Sequence, residues 1–266
     1  MEILALNKEE MKEVINIKEV IEVNKIALRE YSKGLSNVPL RTNLNIEKHN
    51  GQSLYMPGYL SSEDALGIKI VSVYKDNIKK GISSVPSVML LIDDETGFPV
   101  SIMDGTYLTQ LRTGAISGAA TDLLARKDSK IFTIIGAGGQ AELQLEGVLA
   151  IRYIEEVYIF DISEENRKKF VQEMNNKYSK KYNVEIKEAL DLEEVIKKSD
   201  IITSVTTARN KTFNGEWVKK GTHVNGVGSY TPEMAEIDSE LIFKSDKIYI
   251  DTKDAIVESG DFVQIV

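Results

Sequence analysis

The spacing of apolar positions changes twice along the chain, and each change marks a different kind of element. Asn7 with Glu10 reads as a helix cap with its box partner, opening a short N-terminal helix. Ile17, Val20, Ile21, Val23 and Leu28 follow at helical spacing, with Asn24 as the one polar intruder, and predict a helix ending near Gly34. The period then drops to two. RTNLNI, QSLYMPGYL, LGIKIVSVY, SVMLLIDD and PVSIMDG read as strands, split by Asn50-Gly51, Gly67 and Glu95-Thr96-Gly97. DETG between two of them reads as a hairpin turn. Five strands without crossover helices predict a mixed or antiparallel sheet.

Near residue 106 the pattern changes again. TYLTQLRTGAISGAATDLLARKD predicts a long helix, in which Gly114 and Gly118 suit close packing against another element. From Ile131 onward strands and helices alternate: IFTIIG, EVYIFD, VEIKEA, DIITSVT, THVNGVG and KIYID as strands, with AELQLEGVLAIR, SEENRKKFVQEMNNKYSKK, LEEVIKKS and SELIFKS as helices. Six strands in βαβ succession predict a parallel, doubly wound sheet.

Composition narrows the chemistry. The 266 residues exceed one average domain, and 42% hydrophobic content supports a sizeable core. No apolar run approaches the length of a membrane span, and MEILALNKEEMKEV is not a signal peptide, so a cytoplasmic protein is expected. With no Cys, disulfides, thiolate metal sites and a catalytic thiol are excluded, and two His leave no room for a multi-histidine centre, so no metal is expected. A net charge of −8 argues against nucleic acid and anionic membranes as partners. Lys, Arg, Asp, Glu, hydroxyls or a bound cofactor remain.

Residues 136–141, GAGGQA, fit G-x-G-x-x-A in the required context, after an apolar strand and opening a helix. Gly136 permits the tight turn and Gly138 close approach of a pyrophosphate. Gly139 and Gln140 lie between, and Ala141 keeps helix and strand close. The helix N-terminus offers free N–H groups to phosphate. Asp161 ends the next strand, 23 positions after Gly138, where an acid binds the ribose 2′-hydroxyl and favours NAD over NADP. The bland alternative is a glycine turn that binds nothing. Arg167 could answer a 2′-phosphate, but reads better as a solvated helix charge. Thr206 and Val227-Gly228 end later strands where the nicotinamide half should rest; Thr206 could equally be a turn hydroxyl.

Three basic residues stand in apolar or small surroundings: Arg41 after Pro39, Lys69 inside LGIKIVSV, and Arg112 in LRTGAISG. Lys69 shares a strand face with Gly67 and Val71. Arginine suits bidentate capture of a carboxylate, and the trio would suit an amino or imino acid. Each could also be a surface charge or an ion-pair partner. His223 reads as a hydrogen-bonded strand residue and His49 as an exposed turn residue.

Taken together, PLRTNL, YMPGYL, LGIKIVSVY, LIDDETGFPVSIMDGTYLTQLRTGAISGAATDLLAR, IGAGGQAELQLEG, HVNGVGSYTPEM and DTKDAIVESGDF resemble the ornithine cyclodeaminase/mu-crystallin family over Leu6–Val266. The resemblance implies an α/β chain with two parts. One is an α+β substrate and dimerisation domain with a mixed sheet (1–117); the other is a Rossmann domain with a doubly wound parallel sheet (118–252). Residues 253–266 would begin a segment returning to the first domain. It also implies that the chain is C-terminally shortened, since family members continue for several more helices.

By the same resemblance, a homodimer would use NAD, with NADP the weaker choice, on a small amino or imino acid. Arg41, Lys69 and Arg112 would line the substrate pocket, with Arg112 on the carboxylate and Lys69 assisting proton transfer. Thr113 would lie by the cofactor phosphates and Ser87 near the nicotinamide end. Two positions depart from the cyclodeaminase pattern: Tyr230 replaces an Asp and Leu54 a Glu, both of which would serve a diamino acid. These losses favour reduction of a cyclic ketimine carboxylate such as pyrroline-2-carboxylate. The alternatives are an ornithine cyclodeaminase, a lyase that recycles NAD in place, and a non-catalytic, crystallin-like nucleotide- or ligand-binding protein.

Overall fold

The computed structural model describes residues 2–263 and 265. The chain divides into two compact units between Arg112 and Thr113, inside a helix, five residues before the boundary placed at 117 from sequence.

In the first unit the helix signals are realised as hydrogen bonds. α1 (Lys8–Val14) has a complete capping box. Asn7 Oδ1 accepts from the Glu9 and Glu10 N–H groups at 2.8 and 3.0 Å, and Glu10 Oε2 accepts from the Asn7 N–H at 2.8 Å. α2 (Ile17–Ser32) stops at Lys33, followed by Gly34 in the left-handed region at φ 73°. Ile17 and Ile21 of its stripe are buried, whereas Val23 faces solvent.

A seven-stranded mixed sheet follows, built from β1 (Leu4–Leu6), β2 (Ser36–Asn37), β3 (Thr42–Ile46), β4 (Gly51–Leu60), β5 (Ala65–Tyr74), β6 (Ser87–Ile92) and β7 (Pro99–Asp104). Its order is β1-β7-β6-β5-β4-β2, with β3 also on β4; β1 runs parallel to β7 and the other pairs are antiparallel. β1 and β2 are too short to carry a periodicity signal. The β6–β7 turn closes as expected: the Gly97 N–H donates to Asp93 O at 2.8 Å, the Asp93 N–H donates to Phe98 O at 2.9 Å, and Gly97 has φ 74°.

The second unit contains the C-terminal half of α3 (Gly105–Leu124) and a five-stranded parallel sheet. The strands are β8 (Ile131–Ile135), β9 (Glu156–Phe160), β10 (Glu185–Glu188), β11 (Ile201–Ser204) and β12 (His223–Gly226), in the order β10-β9-β8-β11-β12. α4 (Ala141–Leu149) crosses α3 at glycines. A Cβ built on Gly114 would lie 2.1 Å from Leu143 O, and one on Gly147 would lie 2.3 Å from Gly114 O. Phe132, Ile134, Leu145, Val157, Ile159 and Ile201 form the fully buried centre.

The predicted helix 163–181 is α5 (Glu164–Met174), a π-helical turn over Asn175–Ser179, and α6 (Lys180–Tyr182). At the turn the Asn175 amide donates to Val171 O and Ile186 O. α7 (Leu192–Lys198), α8 (Ser239–Lys244), α9 (Ala255–Glu258) and α10 (Gly260–Val263) complete the unit.

One expectation fails. KIYID is not a sixth strand: among the described residues the parallel sheet has five, and Ile248, Tyr249 and Ile250 are exposed without ladder partners. Local alternation of apolar residues cannot supply the neighbour whose backbone a strand must pair with. No helix among the described residues is long and apolar enough to cross a membrane.

At the N-terminal edge of the parallel sheet Asp200 ties several segments together. It accepts from the Lys130 and Ile131 N–H groups at 2.8 and 3.1 Å and pairs with Arg126 at 2.7 Å and Lys219 at 2.8 Å.

Candidate active site

In the second unit the strand order reverses beside β8, which pairs with both β9 and β11; an open α/β sheet forms its ligand crevice at such a point. The loop after β8 starts at Gly136, φ 102°, whose N–H donates to Phe160 O at 2.8 Å. A Cβ there would sit 2.6 Å from Val205 O and 2.9 Å from Thr206 Cγ2, so the loops after β8 and β11 touch through a glycine. Gly138 differs: a Cβ on it would meet nothing within 4 Å. That free space sits just ahead of α4, whose N-cap residue, Gln140, makes no side-chain cap bond. Gln140 Oε1 is buried without a hydrogen-bond partner, and Ala141 is fully buried. Open backbone beside an uncapped helix N-terminus fits a dinucleotide pyrophosphate.

Asp161 follows β9 and is fixed against this loop. Its Oδ2 accepts from the Ala137 N–H and its Oδ1 from the Ser163 N–H, both at 2.8 Å. Arg167 is not the solvated helix charge expected. Its side chain is only 12% exposed; Nε donates to Glu188 Oε2 at 2.9 Å and Nη1 to Asp161 O at 3.4 Å.

The Thr206 hydroxyl accepts from the Ala208 N–H at 3.1 Å, a turn bond. Its N–H donates to Glu236 Oε1 at 2.6 Å, and that oxygen also accepts from Ser204 Oγ at 2.8 Å. Gly228 donates its N–H to Glu236 Oε2, and a Cβ on Gly228 would lie 2.1 Å from Thr206 O. The preceding Val227 N–H donates to Ser204 O at 2.9 Å. Glu236 thus staples the ends of β11 and β12 together. It is fully buried, and burial raises its pKa although the Thr206, Ser204 and Gly228 donors oppose the rise. Asp261, also buried, accepts the Glu236 and Ile237 N–H groups at 2.6 and 2.9 Å. Sequence reasoning missed Glu236 because its partners lie up to 32 residues away; an acid between Ala235 and Ile237 was the available signal.

In the first unit Lys69 sits on β5, opposite Met56 of β4 and Met89 of β6. It lines a cavity of about 300 Å³ with Met56, Gly58, Gly67, Met89 and Leu91. Its pKa falls from 10.5 to about 8, because burial penalises the ammonium and the Arg112 charge repels it. Arg112 is exposed on α3, Arg41 is exposed just ahead of β3, and Ser87 opens β6 with its N–H on Thr106 Oγ1 at 3.1 Å. None of these three lines the Lys69 cavity. A larger cavity of about 610 Å³, bordered by Glu47, His49, Tyr74, Asp76 and Lys80, contains none of the predicted residues. Thr113 is the first, half-buried residue of the second unit. Among the described residues no cluster of three His, Cys, Asp or Glu could hold a metal.

Comparison with known proteins finds relatives that match nearly the whole chain. The chain is 36% identical to the Delta(1)-pyrroline-2-carboxylate reductase of Bacillus cereus over 262 residues, 98% of this chain and 79% of that protein. It is 34% identical to the rat ketimine reductase mu-crystallin over 239 residues, 88% of this chain and 74% of that protein. Among solved structures, the Thermococcus litoralis Delta(1)-pyrroline-2-carboxylate reductase in complex with NADH and L-proline superposes with a TM-score of 0.90 at 46% identity, covering 98% of this chain and 80% of that one. An archaeal alanine dehydrogenase dimer with bound NAD gives 0.89 at 34% identity, covering 100% and 79%. The ornithine cyclodeaminase/mu-crystallin family model matches residues 1–266, and the chain belongs to that family.

Proposed function

We propose that the protein is an NAD-dependent reductase of cyclic imino acids, converting a pyrroline-2-carboxylate-type ketimine to the amino acid, as a homodimer. The likeness that carries this reading is to the Thermococcus litoralis reductase, 46% identical over 98% of the chain and solved with NADH and L-proline. Tyr230 and Leu54 stand where the cyclodeaminase pattern has carboxylates, which supports a substrate with one nitrogen.

The second unit would hold the dinucleotide. Gly138, Gly139 and the N–H groups opening α4 would take the pyrophosphate, with Gly136, Gln140 and Ala141 shaping the loop and Thr113 beside the phosphates. Asp161 would accept from the ribose hydroxyl. Thr206, Val227 and Gly228 would border the nicotinamide half, held by Glu236. When bound, the cofactor supplies a hydride for the C=N carbon.

The first unit would hold the substrate. Arg112 and Arg41 would fix its carboxylate by charge-assisted hydrogen bonds. Lys69 would keep a proton on the imine nitrogen, which makes the carbon electrophilic. A pKa of about 8 leaves the ammonium mostly protonated at pH 7 and close enough to neutrality to give its proton up.

A substrate panel tests the reading: pyrroline-2-carboxylate, piperideine-2-carboxylate, pyruvate with ammonia, and ornithine, each with NADH or NADPH, followed at the nicotinamide absorbance. Oxidation of NADH with the cyclic imines is expected. Ornithine-dependent ammonia release at undiminished NAD would overturn the proposal in favour of the lyase.

A further inference from the structure

The charged groups beside Asp161 form a second pattern that the proposed reaction does not use. Arg167, in the first turns of α5, lies one hydrogen bond from the backbone of Asp161. The Glu188 side chain, at the C-terminal end of β10, takes the Nε–H of that guanidinium, at 2.9 Å. Glu188 is 27% exposed and Arg167 12%, so the pair is more sheltered than the chain's surface lysine pairs. Glu164 and Lys168, on the same helix, pair with each other.

We infer that Glu188 is a specificity-determining residue: by sequestering Arg167 it closes a latent site for a 2′-phosphorylated adenine dinucleotide beside Asp161. This rests on the assignment of Asp161 to the adenosine ribose. A 2′-phosphate there would carry close to two negative charges and three strong acceptors. Arginine presents a planar fork suited to such a group. In this chain that fork is already committed to a carboxylate, and the committing carboxylate adds its own repulsion. Exclusion of NADP is thus built from two layers, the Asp161 charge and the Glu188 latch, and only the first is visible in the glycine-loop motif.

The test uses the full chain and two fragments, 5′-ADP and 2′,5′-ADP, with Kd read by calorimetry, and NADH and NADPH titrated alongside by nicotinamide fluorescence. In Glu188→Gln, 2′,5′-ADP and NADPH are expected to bind about tenfold tighter, the scale of one charge-assisted hydrogen bond, while 5′-ADP and NADH stay within about twofold. Glu188→Thr, suited to a strand end, repeats the test should the glutamine amide keep hold of the guanidinium. In the double variant Glu188→Gln/Arg167→Gln the gain should disappear, which separates release of the arginine from mere removal of a negative charge. Unchanged 2′,5′-ADP affinity in both single variants, equal gains for both fragments, or a gain that survives in the double variant would overturn the inference. Failure of 5′-ADP and NADH to bind the wild-type chain would overturn the dinucleotide reading, and the latch with it.

Discussion

Replacing Lys69 with methionine should make the protein more stable and inactive. Lys69 shares a cavity with Met56, Met89 and Leu91, and its pKa is lowered from 10.5 to about 8. At about 1.4 kcal/mol per tenfold change in proton affinity, carrying that charge at neutral pH costs the fold up to about 3 kcal/mol. The unfolded chain holds the proton more tightly than the folded one. Wild-type stability therefore rises with pH between about 8 and 10.5, and below 8 the full penalty applies. Methionine removes the charge and adds a flexible thioether to a methionine-lined cavity. The stability gap between variant and wild type should approach 3 kcal/mol at pH 7 and shrink below about 1 kcal/mol by pH 10. For a chain of this size each kcal/mol moves the midpoint by about 2–4 °C. Thermal and urea unfolding at the two pH values, at fixed ionic strength, measure the gap; NADH titration and imine turnover are followed in parallel. A gap equal at both pH values, or a variant less stable at pH 7, would refute the account of a charge held at a cost for its chemistry.

Three further outcomes follow from the second unit. Gly138→Ala should fold with an unchanged midpoint yet lose NADH affinity, because its methyl enters open space, whereas Gly136→Ala should also lower the midpoint, because its methyl meets Val205 O at 2.6 Å from a φ of 102°; equal midpoints in the two would contradict the contrast. Glu236→Gln should weaken NADH binding more than it lowers the midpoint, since an amide offers one acceptor oxygen where the carboxylate serves Ser204, Thr206 and Gly228; the ratio of the two effects is the readout. Burial works to raise the Asp200 pKa, but the Lys219 hydrogen bond and the Lys130 and Ile131 N–H groups prevail and hold it at about 2. Its contribution, about 2 kcal/mol, is present above pH 4 and lost as pH falls through 2. Asp200→Asn should lower stability by that amount at pH 7 and flatten the acid limb of an unfolding curve.

What could be read from sequence was local. The Asn7–Glu10 box, the stop at Gly34, the turn at Gly97 and the strand–GAGGQA–helix–Asp161 succession each depend on residues within a few positions of one another, or on a spacing the chain itself sets. What could not be read was non-local. The three residues of β1 belong to the sheet only because Leu4–Leu6 meets Ser101–Met103. KIYID has a strand's composition and no neighbour to pair with. Arg167 looked like any helix surface charge until β10 brought Glu188 to it. Glu236 has no motif, only two strand ends that converge on it.

The glycine crossing of α3 and α4 has an effect at a distance. Gly114 lies against the carbonyl of Leu143, in the first turn of the helix whose N-terminus adjoins the glycine loop. Any side chain at Gly114, or at Gly147 one turn past Leu143 on α4, must push α4 outward, and the loop's N–H groups move with it. Interiors transmit such displacements because they have no slack to absorb them. Nucleotide affinity in this protein is therefore exposed to drift at positions that touch no nucleotide, and a mutational scan scored on NADH binding should mark this buried seam as sharply as the loop itself.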